Sequence, residues 1–193
     1  MRFVFILTLL ASCLLPMISV ADECIEGDCV NGQGTLLFST GHKYTGEFKD
    51  GVRHGEGVLL LPGGRKLVGV WQNNEITEGT YTLPDGTVYV GQWKFRERNG
   101  RGTLTYSDGR KYIGDFKSDQ RHGKGTMIYP DGRTYEGDFN FGERTGQGSM
   151  TYPDGRKYIG EFKDGERTGQ GTLIYPDGKK LEGEFKNGEF IGN

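Results

Sequence analysis

The stretch Tyr112-Ile-Gly-Asp-Phe-Lys-Ser-Asp-Gln-Arg-His-Gly-Lys-Gly-Thr-Met-Ile-Tyr-Pro-Asp-Gly132 decides the fold, because most of the chain is a copy of it. Aligned on the glycine of Tyr-x-Gly, the copies fall at Gly46, Gly69, Gly91, Gly114, Gly137, Gly160 and Gly183. Each step is 23 residues, except that from Gly69 to Gly91, which is 22. A fixed period of this size means one small supersecondary unit stacked on itself, an array and not a globule.

Within the stretch two runs alternate with the period of a strand. Tyr112, Gly114 and Phe116 share one face, and Ile113, Asp115 and Lys117 share the other. Met127 and Tyr129 continue the first face, Thr126 and Ile128 the second. Tyr129-Pro-Asp-Gly132 is a turn: proline presets its own dihedral and glycine accepts a positive φ. It recurs as Leu83-Pro-Asp-Gly86, Tyr152-Pro-Asp-Gly155 and Tyr175-Pro-Asp-Gly178. The other connection, Lys117 to Gly123, reads as a longer polar loop. The fold expected is all-β, an elongated, twisted antiparallel meander of repeated hairpins over 35–193. Its inward rows run through Tyr44/Phe48 to Leu181/Phe185 on first strands and through Leu36/Phe38 to Leu173/Tyr175 on second strands. Glycine between the two large residues of each first strand leaves a slot for a ring from the neighbouring strand.

Composition agrees with a thin sheet. Glycine is 34 of 193 residues, and only 34% of residues are apolar, about a third of those aromatic. A layer of rings suits such a sheet. The formal charge of -2 gives no electrostatic reason to expect nucleic acid.

The first 21 residues stand outside the array. Met1-Arg2 is a short basic start, Phe3 to Leu10 is apolar, and Ser19-Val-Ala21 is a small-x-small cleavage site, so 1–21 reads as a secretory signal peptide. Leu10-Ala-Ser-Cys13 is the alternative, a lipoprotein-type box in which Cys13 is lipidated. Either way the chain is exported, to the periplasm or the extracellular space. Cys24 and Cys29 then lie in an oxidising compartment, where a disulfide closing an N-terminal cap over 22–34 is expected. Zinc is the other reading, but two thiols without nearby histidines leave its tetrahedron half empty.

The unit Tyr158-Ile-Gly-Glu-Phe-Lys-Asp-Gly-Glu-Arg-Thr-Gly-Gln-Gly171 resembles the MORN repeat (membrane occupation and recognition nexus). The resemblance covers about residues 30–193, with six full units and partial ones at the ends. It implies the elongated hairpin sheet, and use as a scaffold, a dimerisation element or a lipid-binding module. Unit two departs from the pattern: Leu67 replaces tyrosine, Val70 the acid and Asn74 the loop glycine, and one residue is missing from Glu75-Ile-Thr-Glu-Gly79. Unit three has Arg96 at the loop glycine.

No catalytic or cofactor site is expected. Gly-x-Gly pairs such as Gly123-Lys-Gly125 lack the following helix that a phosphate loop needs. The turn aspartates Asp85, Asp108, Asp131, Asp154 and Asp177 lie one unit apart, roughly 9–10 Å, too far to share a calcium ion. His54 and His122 sit three units apart in what reads as solvated loop, and acids such as Glu161 read as ladders on the solvent face. The expectation is a non-enzymatic scaffold for a protein partner or a homodimer. A peripheral lipid- or glycan-binding module is the alternative, lipid using Arg110, Lys111, Arg133, Arg156, Lys157, Lys179 and Lys180. Outward positions in units four to seven read as mostly polar, whereas units one and two place Val58, Leu60, Val68 and Val70 outward on adjacent strands. These four form the candidate interaction patch, with cover by the N-terminal segment as the competing account.

Overall fold

The computed structural model describes residues 21–192; the expected signal peptide, its cleavage site up to Val20, and Cys13 lie outside the described residues. Sixteen strands follow one another. The first eight are β1 (Glu23–Gly27), β2 (Gln33–Leu37), β3 (Lys43–Lys49), β4 (Val52–Leu61), β5 (Arg65–Gln72), β6 (Glu75–Thr82), β7 (Val88–Lys94) and β8 (Glu97–Thr105). The rest are β9 (Lys111–Lys117), β10 (Gln120–Ile128), β11 (Thr134–Asn140), β12 (Glu143–Thr151), β13 (Lys157–Lys163), β14 (Glu166–Ile174), β15 (Lys180–Lys186) and β16 (Glu189–Gly192). They form a single antiparallel sheet in sequence order, an open meander with β1 and β16 at its edges. Units one to seven are the pairs β3–β4 to β15–β16. Strand β2 straddles the expected boundary between cap and array.

One face carries the core. Tyr44, Tyr89, Tyr112, Tyr135 and Tyr158 are fully buried, and Phe48, Trp71, Phe116, Phe139, Phe162 and Phe185 nearly so. Among the described residues no second layer covers them, so each ring is buried by its neighbours in the row. Tyr112 meets Phe116 at 5.1 Å and Phe139 of the next unit at 5.0 Å, both edge to face. That arrangement brings the positive edge of one ring to the negative face of the next.

The glycine slot is filled from a different direction than expected. The tyrosine of the same strand folds over its own Gly114 and reaches across to Gly125 of the partner strand, which pairs with it. A Cβ on Gly125 would lie 2.4 Å from the Tyr112 ring. The hydroxyl then donates to the carbonyl of Asp115 at 2.9 Å. Tyr44, Tyr89, Tyr135 and Tyr158 make the same bond to Glu47, Gln92, Asp138 and Glu161.

The expected long loop is also corrected. Strand β10 begins at Gln120, and only Ser118 and Asp119 turn the chain, both left-handed at φ 46° and 64°. Two positive φ values in a two-residue hairpin loop match the right-handed twist of the strands. The remaining length goes into a bulge: Asp115 pairs with His122 and Gly114 with Gly125, leaving Gly123 and Lys124 unmatched. Gly123 has φ 60°, so the two glycines of Gly-x-Gly have different roles. The first makes the bulge and the second admits the ring. The acid of the motif closes the bulge. Asp115 accepts from the amide of Lys124 at 3.3 Å, as Glu47 does from Glu56 and, in unit three, Gln92 from Arg101. These side chains are more than a charge ladder.

The glycines therefore yield a graded expectation. Gly125→Ala drives a methyl into the Tyr112 ring and should cost about 3 kcal/mol, the upper range for overpacking. Gly178→Ala has φ 85° but nothing within 4 Å, and should cost about 1 kcal/mol. Urea unfolding of the two variants checks the order. Alkaline titration gives a second expectation. Burial pushes the Tyr44 and Tyr89 phenols up to about 12, and raises Tyr112, Tyr135 and Tyr158 as well. Between the unfolded value near 10 and the folded one, only the unfolded chain loses these protons. Stability should be unaffected below about pH 10 and fall as pH rises from there to 12, with tyrosinate absorbance appearing together with loss of circular dichroism.

Candidate binding face

Arginine joins unit to unit on the inner face, at a position expected to lie in a loop. Arg121, in β10, lays its guanidinium 5.9 Å from the Tyr112 ring and 5.7 Å from Phe139. It donates through Nη2 to the carbonyl of Gly142 in the next turn at 2.5 Å, while the amide of Gly142 donates to the Arg121 carbonyl at 2.9 Å. Arg53, Arg98, Arg144 and Arg167 donate in the same way to Asn74, Asp119, Gly165 and Gly188. The signal was present: five arginines at one position of the period. A planar cation that stacks and donates at once fits where lysine would not.

The opposite face is the candidate site. Three rows of side chains cross it. The middle row runs in strict register through Thr35, Thr45, Val58, Val68, Thr80, Val90, Thr103, Ile113 and Thr126. It continues through Glu136, Ser149, Ile159, Thr172 and Glu182. Most members are β-branched, which suits a pleated surface, and an aliphatic and a hydroxyl alternate over much of its length.

The four patch residues lie on the adjacent strands β4 and β5. Val58 pairs with Val68, Leu60 with Lys66, and Val70 with Glu56. Leu60, Val68 and Val70 are 43%, 38% and 44% exposed, and Val58 is half-buried. The cap does not cover them. Cys24 and Cys29 form the expected disulfide, and β1 pairs only with β2. The patch is wider than expected, however. Val90, Ile113, Ile128 and Ile159 are also exposed, at 49%, 42%, 38% and 46%, so aliphatic side chains continue into units three, four and six. The outward face of units four to seven is less polar than the sequence suggested, because isoleucine recurs where units five and seven have glutamate.

Ile113 and Ile159 flank an open depression of about 700 Å³, with Thr126, Glu136 and Ser149 on its floor. Its rim carries three cations, of which Arg101 and Lys124 are paired and Lys157, among the described residues, is in no ion pair. Arg101 meets Asp115 at 2.9 Å, and Lys124 meets Asp138 at 2.7 Å. Among the described residues Glu136 is in no ion pair.

The residues weighed for other chemistry are dispersed. Arg110, Arg133 and Arg156 each bridge the turn aspartate two residues before them at 2.7 Å and stack on Tyr106, Tyr129 and Tyr152. Backbone amides hold those aspartates, Asp108, Asp131 and Asp154, below the ordinary carboxylate range. Lys111, Lys157, Lys179 and Lys180 keep to the same edge, with Lys157 also lining the depression. His54 and His122 are in strands, half-buried, and not in solvated loops; His122 packs edge-on to Phe141 at 6.0 Å. Among the described residues no group of three metal-ligating side chains converges.

A family model for the MORN repeat matches residues 44–64, 78–88, 89–109, 112–132, 135–155 and 158–180, more than half of the chain. The protein belongs to the MORN repeat family. No curated protein matches it. Among solved structures, this MORN array is similar to the TCP domain of Drosophila melanogaster SAS-4 (dCPAP), determined in complex with a proline-rich motif of Ana2 (dSTIL). The TM-score is 0.53 at 14% identity, over 93% of this chain and 97% of that one. The G-box domain of the microcephaly protein CPAP matches with a TM-score of 0.40 at 14% identity, over 86% of this chain and 100% of that one. At that identity the first likeness concerns the fold.

Two turn residues break the local rule of the MORN hairpin. Phe95 and Phe141 are 77% and 71% exposed, and both are left-handed, at φ 53° and 44°. Other turns put Asp50, Asn73, Ser118, Asp164 or Asn187 there, four of the five being Asp or Asn, which tolerate this conformation. Phe141→Asn is expected to stabilise the array by about 1 kcal/mol, read from the thermal midpoint.

Proposed function

We propose that this MORN array is an exported, non-enzymatic scaffold that holds a protein partner, or a second copy of itself, on its outer face. The observation that carries the reading is the exposed aliphatic row, which crosses successive units with none of the described residues packed over it. Such a surface, bordered by charge, has the composition of an interface: an apolar centre and a polar rim. The family and the fold support the scaffold reading. The TCP domain of similar architecture was solved holding a protein segment, and that class of ligand is the one carried over. Export rests on the signal-like segment 1–21 and on the Cys24–Cys29 disulfide, a bond that persists in oxidising compartments.

The non-enzymatic reading rests on where the candidate groups are spent. Acids of the repeat close bulges, arginines clamp units, and the two strand histidines are three units apart. The lipid- or glycan-binding alternative is weaker, since all three arginines that lipid would use are already paired with aspartate.

The double variant Val68→Thr, Val70→Thr keeps strand propensity while removing apolar contact area. It should lower the solution mass if the partner is a second copy, or lose the envelope protein that the wild type captures. Retention of both would overturn the outer face as the interface. Sedimentation with anionic vesicles at low and high salt tests the alternative, because lipid binding predicts retention that salt removes.

A further inference from the structure

Resting on that scaffold reading, we propose that the middle row of the outer face binds an extended segment in the polyproline-II conformation, with every third peptide residue facing the next unit. Spacing selects this conformation. Equivalent positions of successive units are two strands apart, roughly 9.6 Å. A polyproline-II helix has three residues per turn and rises about 3.1 Å each, a repeat of about 9.3 Å. The mismatch is about 0.3 Å per unit, or roughly 1.2 Å across five units. A β-strand returns a side chain to one face every ~6.7 Å, and two turns of α-helix advance ~10.8 Å, so both fall out of step.

Chemistry agrees with spacing. One face of such a peptide offers apolar side chains, and its carbonyls have no internal partners. From unit two to unit six the middle row supplies both needs: an aliphatic on the first strands of units two, three, four and six for the side chain, and a hydroxyl on every second strand to donate to a carbonyl. On first strands from unit two to unit six the row reads Val68, Val90, Ile113, Glu136, Ile159. Four positions ask for an apolar residue. The fourth in order, Glu136, asks for a cation: it is exposed, lies between Thr126 and Ser149, and is in no ion pair among the described residues, whereas Asp115 and Asp138 beside it are already matched. The row therefore calls for apolar, apolar, apolar, basic, apolar at every third residue.

The probe is a labelled peptide, Leu-Pro-Pro-Leu-Pro-Pro-Leu-Pro-Pro-Lys-Pro-Pro-Leu, together with the same residues in reverse order. Both directions are needed because a polyproline-II helix presents similar faces either way. Fluorescence anisotropy with the full chain should show one of the two binding at least about tenfold tighter than a peptide of equal composition with lysine moved by one place. Replacing that lysine with glutamate should cost about tenfold, and Glu136→Lys, on an exposed side chain, should reverse the preference between the two peptides. Equal affinity for the shifted peptide, or a preference unaltered by Glu136→Lys, would overturn the proposal. If that happens while Val68→Thr, Val70→Thr still loses the captured partner, the scaffold reading stands and the polyproline-II reading falls.

Discussion

A tyrosine lying flat across two paired glycines is the contact on which the array depends. A single sheet has no second layer to bury its rings, so burial must come from within the row. Tyr112 solves this by closing over Gly125 and meeting Phe116, Phe139 and the Arg121 guanidinium around its rim. Its hydroxyl ends on the Asp115 carbonyl, beside the bulge, so the one polar atom of a fully buried ring is satisfied. The ring therefore fixes both glycines, the bulge and the neighbouring phenylalanine together. Removing any one of these exposes the others, which explains why the repeat carries them as a set.

Unit two shows the same dependence in reverse, because its departures occur together. Leu67 has no ring to lay over the glycine pair, and Ile76 takes up the vacated space, its Cδ1 standing 2.9 Å from where a Cβ of Gly79 would be. Ile76 occupies the position at which other units place the clamping arginine. One residue is missing, so only Thr77 is left over between the pairs Val70–Glu78 and Trp71–Ile76. Val70 stands where the acid would be, and the Thr77 hydroxyl donates to its carbonyl at 3.2 Å. The apparent decay of the unit is thus one consistent alternative packing. Trp71 completes it, 3% exposed and beneath the Arg53 guanidinium at 4.5 Å.

Much of the inner face was legible because rings and glycines at a two-residue alternation have few other uses. Tyr135 and Phe139 could be assigned inward from the pattern alone, and both are buried. The Pro-Asp-Gly turns were legible for the same reason. Arg121 was not. A segment reading Lys-Ser-Asp-Gln-Arg-His-Gly is polar throughout, and polarity looks like loop until the rings that receive the guanidinium are in place. The two-residue bulge hid the strand further, although two extra residues keep the inward parity of Arg121 and Met127. The outer face was legible only in part, since Ile113 and Ile159 lie among acids and lysines and carry no periodic mark of their own.

That asymmetry between faces follows from the thinness of the sheet. Inward positions are constrained by a ring, a glycine or a clamp, so the inner face varies little from unit to unit. Apart from the acids that close the bulges, outer residues carry no such constraint, and threonine, valine, isoleucine and glutamate all serve in the middle row. A surface free of folding constraint is where specificity can be written without loss of stability. The core itself divides near unit two, into one cluster around Tyr44 and Trp71 and another from Tyr89 to Phe185, with Tyr81 and Trp93 packed against both. Among the described residues no arginine clamps unit two to unit three, where the exposed Arg96–Glu75 pair at 3.4 Å spans the gap instead. An exposed pair contributes little, so beyond the β6–β7 ladder the inner-face joint rests on Trp93, which meets Tyr81 edge to face at 5.9 Å and donates through Nε1 to the Gly79 carbonyl at 3.5 Å. The outer row crosses this joint without a break, from Val68 through Thr80 to Val90. A partner laid along that row would span the weakest seam of the core, and its binding energy would couple two blocks that the inner face joins only lightly.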